Sequence, residues 1–242
     1  MSKKNRETDR ATRAAAALKA QQREERRRRN LMVGGVIAAL LVIVGAGFLL
    51  SRSLDTTEDV DAPAAGSEFG LTIGSKDAPH EVIIYEDFHC VHCADFEAHS
   101  EEGLAELAAD GSVLVEYRPI NFLSDYSART ANAFKVVLDE SGPEVAKKFH
   151  DLVFEHYNEA AGSREGLDND KIIDLAVEAG ADEDAVRPGI EDMAQRDWVE
   201  DATSAAQEAG VTGTPTILLD NEVFQDGSSA EELADNLIKR LQ

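Results

Sequence analysis

Phe88-His89-Cys90-Val91-His92-Cys93 holds both cysteines of a 242-residue chain and spaces them Cys-x-x-Cys. The run Val82-Ile83-Ile84-Tyr85 before it is apolar and β-branched, which predicts a strand. The run from Cys93 to Ala109 after it carries Phe96, Leu104 and Leu107 as apolar positions, which predicts a helix. A cysteine between such a strand and such a helix sits at the helix N-terminus. Unpaired backbone N–H groups and the positive end of the helix dipole there favour a thiolate. His92, between the cysteines, adds a second favourable charge when protonated. The thiolate is the species that attacks disulfides, so the pattern points to thiol–disulfide exchange at Cys90 and Cys93.

Three other readings use the same residues. Zinc commonly takes four ligands, and Cys-x-x-Cys supplies half of such a set with no second pair in the chain. His89, His92 and His99 lie nearby and keep a local or intermolecular metal site open as an alternative. Haem attachment needs His after the second cysteine, where Ala94 stands. A two-residue loop at a helix start is an odd place for a purely structural disulfide.

Outward from the motif, charge is uneven. The formal net charge is −23. Residues 1–30 carry eleven Lys/Arg against four Asp/Glu, and residues 53–242 carry twelve against forty-three. So acidic a body repels nucleic acid and excludes that partner class.

Residues 1–30 read as a basic arm ending in Arg26-Arg27-Arg28-Arg29. Leu31 to Leu50 is twenty residues without a charge, about 30 Å as a helix and one hydrocarbon thickness. It is too long for the apolar region of a cleaved signal peptide, and no cysteine marks lipoprotein processing. The expectation is a single-pass signal anchor, with the arginines cytoplasmic and the chain after about residue 55 outside. Residues 51–68 read as an acidic linker with Pro63 and Gly66.

The folded part is expected over 69–242. Leu71-Thr72-Ile73 reads as a short edge strand, and Val113 to Tyr117 as a strand stopped before Pro119. Four helical stretches follow: 127–138, 145–157, 170–179 and 182–193. Asp168 or Asp170 can cap the third and Gly180 can end it. A further helix covers 198–209. Thr216 to Leu219 and Glu222 to Phe224 read as a hairpin across Asp220-Asn221, and 229–241 as an amphipathic helix. The order is β-α-β, a helical insert over about 125–195, then α-β-β-α.

Gly213-Thr214-Pro215 leads into the second group of strands, and proline is tolerated at the first position of a strand. With Asp87-Phe88-His89-Cys90-Val91-His92-Cys93, the insert and Val211-Thr212-Gly213-Thr214-Pro215, the chain from Phe69 to Gln242 resembles the DsbA-family thiol–disulfide oxidoreductases of the thioredoxin superfamily. The resemblance implies an α/β thioredoxin-like fold with an inserted helical domain. It implies that Cys90 forms the mixed disulfide and Cys93 resolves it. It also implies a cis Thr214-Pro215 bond, with Gly213, Thr214 and Pro215 presenting backbone to an incoming peptide strand.

The sequence departs from many relatives in two places. Val91 replaces a common proline. Ile84 stands where relatives often bury an acid, and Glu86, two residues on and on the same strand face, is the candidate substitute proton relay for Cys93. His99, His150 and His156 have no motif and read as solvated helix residues; Trp198 reads as a core anchor.

The function expected is that of an oxidase. It passes a Cys90–Cys93 disulfide to reduced, unfolded exported proteins and is re-oxidised by a membrane quinone-coupled thiol oxidase within reach of the anchor. No cofactor is implied. The alternatives are a membrane-tethered reductase or isomerase, and a non-catalytic adaptor or metal-binding module on the same fold.

Overall fold

The computed structural model describes residues 60–163 and 165–242. The basic arm, the apolar span 31–50 and the start of the linker lie outside the described residues. Among the described residues no helix is long and apolar enough to cross a membrane.

Five strands form one mixed sheet. They are β1 (Leu71–Gly74), β2 (His80–Glu86), β3 (Val113–Pro119), β4 (Thr216–Leu219) and β5 (Glu222–Val223), in the order β1-β3-β2-β4-β5. β2 and β3 run parallel, with Val82 beside Val115 and Ile84 beside Tyr117. The other pairings are antiparallel, and Ile84 faces Ile217 of β4. The parallel pair needs a crossover, which α1 (Val91–Ala109) supplies. β2 is the middle strand, and its residues from Val82 to Glu86 are buried, as a strand covered on both faces requires.

Period-two alternation sorts the sheet residues between two cores. Val82, Ile84, Val115, Tyr117 and Ile217 pack with Phe96, Leu104 and Leu107 of α1 and with Leu237 and Leu241 of α8 (Ala230–Leu241). Ile83, Tyr85 and Leu218 face the other way, toward Ala206 and Ala209 around the end of α7 (Arg196–Glu208).

Between β3 and β4 the chain is helical: α2 (Asp125–Ser141), α3 (Pro143–Glu155), α4 (Tyr157–Ala161), α5 (Asn169–Ala179), α6 (Glu183–Glu191) and α7. Local signals set the boundaries. Ser124, Asp168 and Asp182 accept from the backbone N–H three residues on and so cap α2, α5 and α6. Gly180 ends α5 in the left-handed region at φ +113°. The insert core of Phe134, Phe149, Val153, Phe154, Ile172 and Ile173 is continuous with Phe88, Cys90 and Cys93, so the helices form one wall of the motif.

Three expectations need correction. The 51–68 linker is packed onto the domain from Val60 on, with Val60 and Ala62 buried. Arg118 donates to the carbonyls of Pro63 and Ala64 and to Glu116, while Glu116 accepts from the backbone of Gly66 and Ser67. Gly70 lies so close that a Cβ there would sit 2.3 Å from Glu116 Oε1. This Glu116–Arg118 pair on β3 has no signature in the linker itself. β3 continues through Pro119, which is tolerated because β1 stops pairing at Tyr117. The helix expected to end at Tyr157 breaks at His156 and restarts as the short α4.

Candidate active site

Cys90 is the N-cap of α1, with extended backbone at φ −87° and ψ 120°. Its N–H donates to Asp87 O at 2.9 Å, and its carbonyl accepts from Ala94 N–H at 3.1 Å, the first bond of the helix. Its Sγ lies 3.2 Å from the carbonyl oxygen of Thr214. Both cysteines are free thiols in this structure. Cys90 is 7% exposed and Cys93 is 0%, so an incoming sulfur can reach only the first.

The two thiols are held in opposite states. Hydrogen bonding from the Cys93 thiol, reinforced by the Thr214 side chain and the backbone N–H groups of Cys93 and His92, outweighs burial and lowers Cys90 from 9.0 to about 6. At neutral pH this favours the Cys90 thiolate. Burial pushes Cys93 well above 9.0, with Cys90 and the charge of Glu86 adding to the effect. Residue 92 acts on Cys90 through its backbone N–H, while the side chain of His92 is exposed to solvent.

The loop before β4 lies opposite Cys90. The Thr214-Pro215 bond is cis, and Thr216 Oγ1 donates to Gly213 O at 2.8 Å, closing the turn that leads into β4. This puts Gly213-Thr214-Pro215 beside Cys90. Val91, next to Cys90 in the chain, and Leu123 are exposed apolar residues. A groove of about 780 Å³ opens alongside, lined by His89, Leu123, Tyr126 and Arg129 among others.

Asp87 joins this mouth to the insert. It is fully buried and accepts four hydrogen bonds: His89 N–H at 2.8 Å, Phe122 N–H at 2.8 Å, Leu123 N–H at 3.1 Å and Ser127 Oγ at 2.6 Å. The loop before α2 is thereby fixed to the loop before α1. His89 adds a bond between Nδ1 and Ser124 Oγ at 2.7 Å.

Glu86, the candidate relay, is fully buried at the end of β2. Its Oε1 lies 2.6 Å from Nε2 of His150, so the carboxylate already has a partner. His150, expected in solvent, is 0% exposed on α3 and packs edge-on against Phe88 and Phe154. It occupies an apolar stripe with Ala146, Phe149 and Val153, the spacing that could have revealed it. Glu97 on α1, one turn after Cys93 and also buried, completes the cluster; no motif marks it in the sequence, although Cys93, Ser100 and Leu104 share its face. Burial, then the charge of Glu86, pushes Glu97 up to about 8. Burial works against charging His150, but Glu86 and Asp151 hold it up at about 10. His99 is exposed, and His156 Nδ1 lies 2.9 Å from Leu152 O. Trp198 is half-buried against Phe134 and donates to Glu68 O at 2.9 Å.

No curated protein sequence matches the chain significantly. Among solved structures, oxidised DsbA of Mycobacterium tuberculosis is 25% identical, with a TM-score of 0.59 over 71% of this chain and 90% of that one. Reduced DsbG, a disulfide bond oxidoreductase of the same organism, is also 25% identical, with a TM-score of 0.60 over 76% and 91%. BdbD of Bacillus subtilis, at 19% identity, shares the fold with a TM-score of 0.64 over 76% and 98%. A family model described as thioredoxin matches residues 67–239, the sheet, the motif and the insert together, and the chain belongs to that family.

Proposed function

We propose that this protein is an extracytoplasmic thiol–disulfide oxidase that donates the Cys90–Cys93 disulfide to reduced exported proteins. Its class, protein disulfide oxidoreductase, rests on the likeness to the two mycobacterial oxidoreductases. The observation that carries the direction is the opposed state of the two thiols. Lowering the Cys90 thiol from 9.0 to about 6 favours its thiolate and so stabilises the reduced pair, and a stabilised reduced form makes the disulfide a stronger oxidant.

The steps follow from exposure. A substrate thiolate attacks Cys90 Sγ, the Cys90–Cys93 bond breaks, and Cys93 leaves with the electron pair. Cys93 then takes up a proton, because its buried site favours the thiol. A second substrate thiolate attacks the substrate sulfur of the mixed disulfide and releases Cys90 as a thiolate. Two substrate thiols are oxidised and the pair gains two electrons. Gly213, Thr214 and Pro215 flank Cys90 and offer backbone to an extended substrate segment. Re-oxidation falls to a membrane quinone-coupled thiol oxidase, and the apolar span 31–50 keeps the domain near it.

The test is the thiol state of the chain in intact cells, read by alkylation shift. An oxidase is found mostly as the disulfide. A chain found mostly reduced overturns this direction and points to a reductase.

A further inference from the structure

We propose that Glu86, Glu97 and His150 form a buried site for a divalent transition cation, ligated by Nε2 of His150 and one oxygen of each carboxylate. The three residues come from β2, α1 and α3, and their ligating atoms lie within 4.8 Å of one another. A cation there would tie the middle strand, the active-site helix and the insert at one point.

Unpaired oxygens point into this cluster. Both carboxylate oxygens of Glu97 and Oε2 of Glu86 are buried and have no hydrogen-bond partner, although Glu97 is only 2% exposed. Buried carboxylate oxygens are costly unless a donor or a metal meets them, and a native interior keeps few such atoms. The hydroxyl of Tyr117 is also buried and unpaired, and its ring lies 4.7 Å from that of His150.

The surroundings of His150 point the same way. Its Nδ1 lies 2.8 Å from Oδ1 of Asp151, which is itself paired with Lys147. A histidine whose Nδ1–H donates to a carboxylate presents the lone pair of Nε2, the usual arrangement around a metal-bound imidazole. Nε2 faces Glu86 Oε1 at 2.6 Å, a distance bridged by a proton whose place a bound ion would take. With the ligand protons displaced, two carboxylates and a neutral imidazole carry a charge of −2, which a divalent ion balances. One nitrogen and two oxygens, without sulfur, suit Zn²⁺ or Mn²⁺ better than Ca²⁺ or Mg²⁺, which favour oxygen alone.

The experiment uses the full chain without a histidine tag and with Cys90→Ser and Cys93→Ser, so that thiolates bind no metal. It is produced in zinc or, separately, in manganese, because an enclosed site fills as the chain folds. It is then purified in detergent with a chelator wash, and metal per chain is counted by mass spectrometry. The expected result is about one equivalent of one of the two metals. Glu97→Gln should lower that at least tenfold with unchanged circular dichroism. Asp151→Asn keeps all three ligands and should weaken retention about 10- to 100-fold; it decides the matter if Glu97→Gln does not fold. Less than a tenth of an equivalent of either metal in the parent overturns the proposal. So does undiminished metal in whichever of the two variants folds. The readout is metal content, so the oxidase reading stands or falls separately.

Discussion

Asp87 and Glu86 are neighbours in sequence, both carboxylates and both fully buried, yet they are treated in opposite ways. Asp87 turns to the mouth of the motif and is saturated by four donors from two loops. Glu86 turns under the active-site helix, where it has one partner and leaves an oxygen bare beside the bare carboxylate of Glu97. The strand's period of two separates them onto two faces and so into two environments. A saturated carboxylate has no capacity left and holds structure. An undersatisfied one is where a fold keeps chemistry or a ligand.

The largest expected effect breaks the saturated side. Asp87→Ala leaves four donors without their acceptor and should cost about 3 kcal/mol or more, read by denaturant unfolding of the oxidised domain. A loss under about 1 kcal/mol would show that Asp87 is no staple.

A smaller effect sharpens the difference between the thiols. Cys90 titrates at about 6 in the folded reduced protein, against a usual 9.0. Between those values the unfolded chain binds more protons at Cys90 than the folded one, so stability rises with pH across that window. The gain is complete above the unfolded value and is lost as pH falls through the folded one. Cys93, held above its usual value, acts only at higher pH and with the opposite sign. The oxidised form has neither thiol, and titrations common to both forms cancel in the difference. Reduced-minus-oxidised stability should therefore climb from about pH 6 to about pH 9, by paired unfolding curves. A flat difference would remove the thiolate from the account.

The smallest effect concerns His92. Its imidazole is exposed, and residue 92 reaches Cys90 through the backbone, which survives substitution. Thiolate absorbance in His92→Ala should keep its midpoint near pH 6, because water screens an exposed charge. A midpoint shifted most of the way back to 9.0 would restore the imidazole as the main cause.

The motif, its strand and helix, the insert and Thr214-Pro215 were legible because each has a local pattern: spacing, periodicity, or proline before a strand. Ser124, Asp168, Asp182 and Gly180 mark helix ends by the same kind of chemistry. What stayed hidden depends on packing between distant segments. His150 stands in an apolar stripe of α3, but that it meets Glu86, sixty-four residues away, follows only from docking the insert on the sheet. Glu97 shares a face of α1 with Cys93, Ser100 and Leu104, but that it meets Glu86 and His150 follows only from docking that helix on the sheet and the insert. The strapping of 60–68 depends on a Glu116–Arg118 pair about fifty residues further on.

The central claim is that Cys90 meets the substrate and Cys93 lies beneath it, and trapping tests this most directly. Cys93→Ala and Cys90→Ala chains are expressed in cells, membranes are collected under acid quench, and adducts are compared with and without reductant. Cys93→Ala should accumulate reducible adducts with exported proteins, because the Cys90 thiolate can still attack a substrate disulfide, releasing one substrate thiol, while Cys93 is no longer beneath it to reverse the mixed disulfide. Cys90→Ala should give few. Abundant adducts from Cys90→Ala, or none from either chain, would contradict the account.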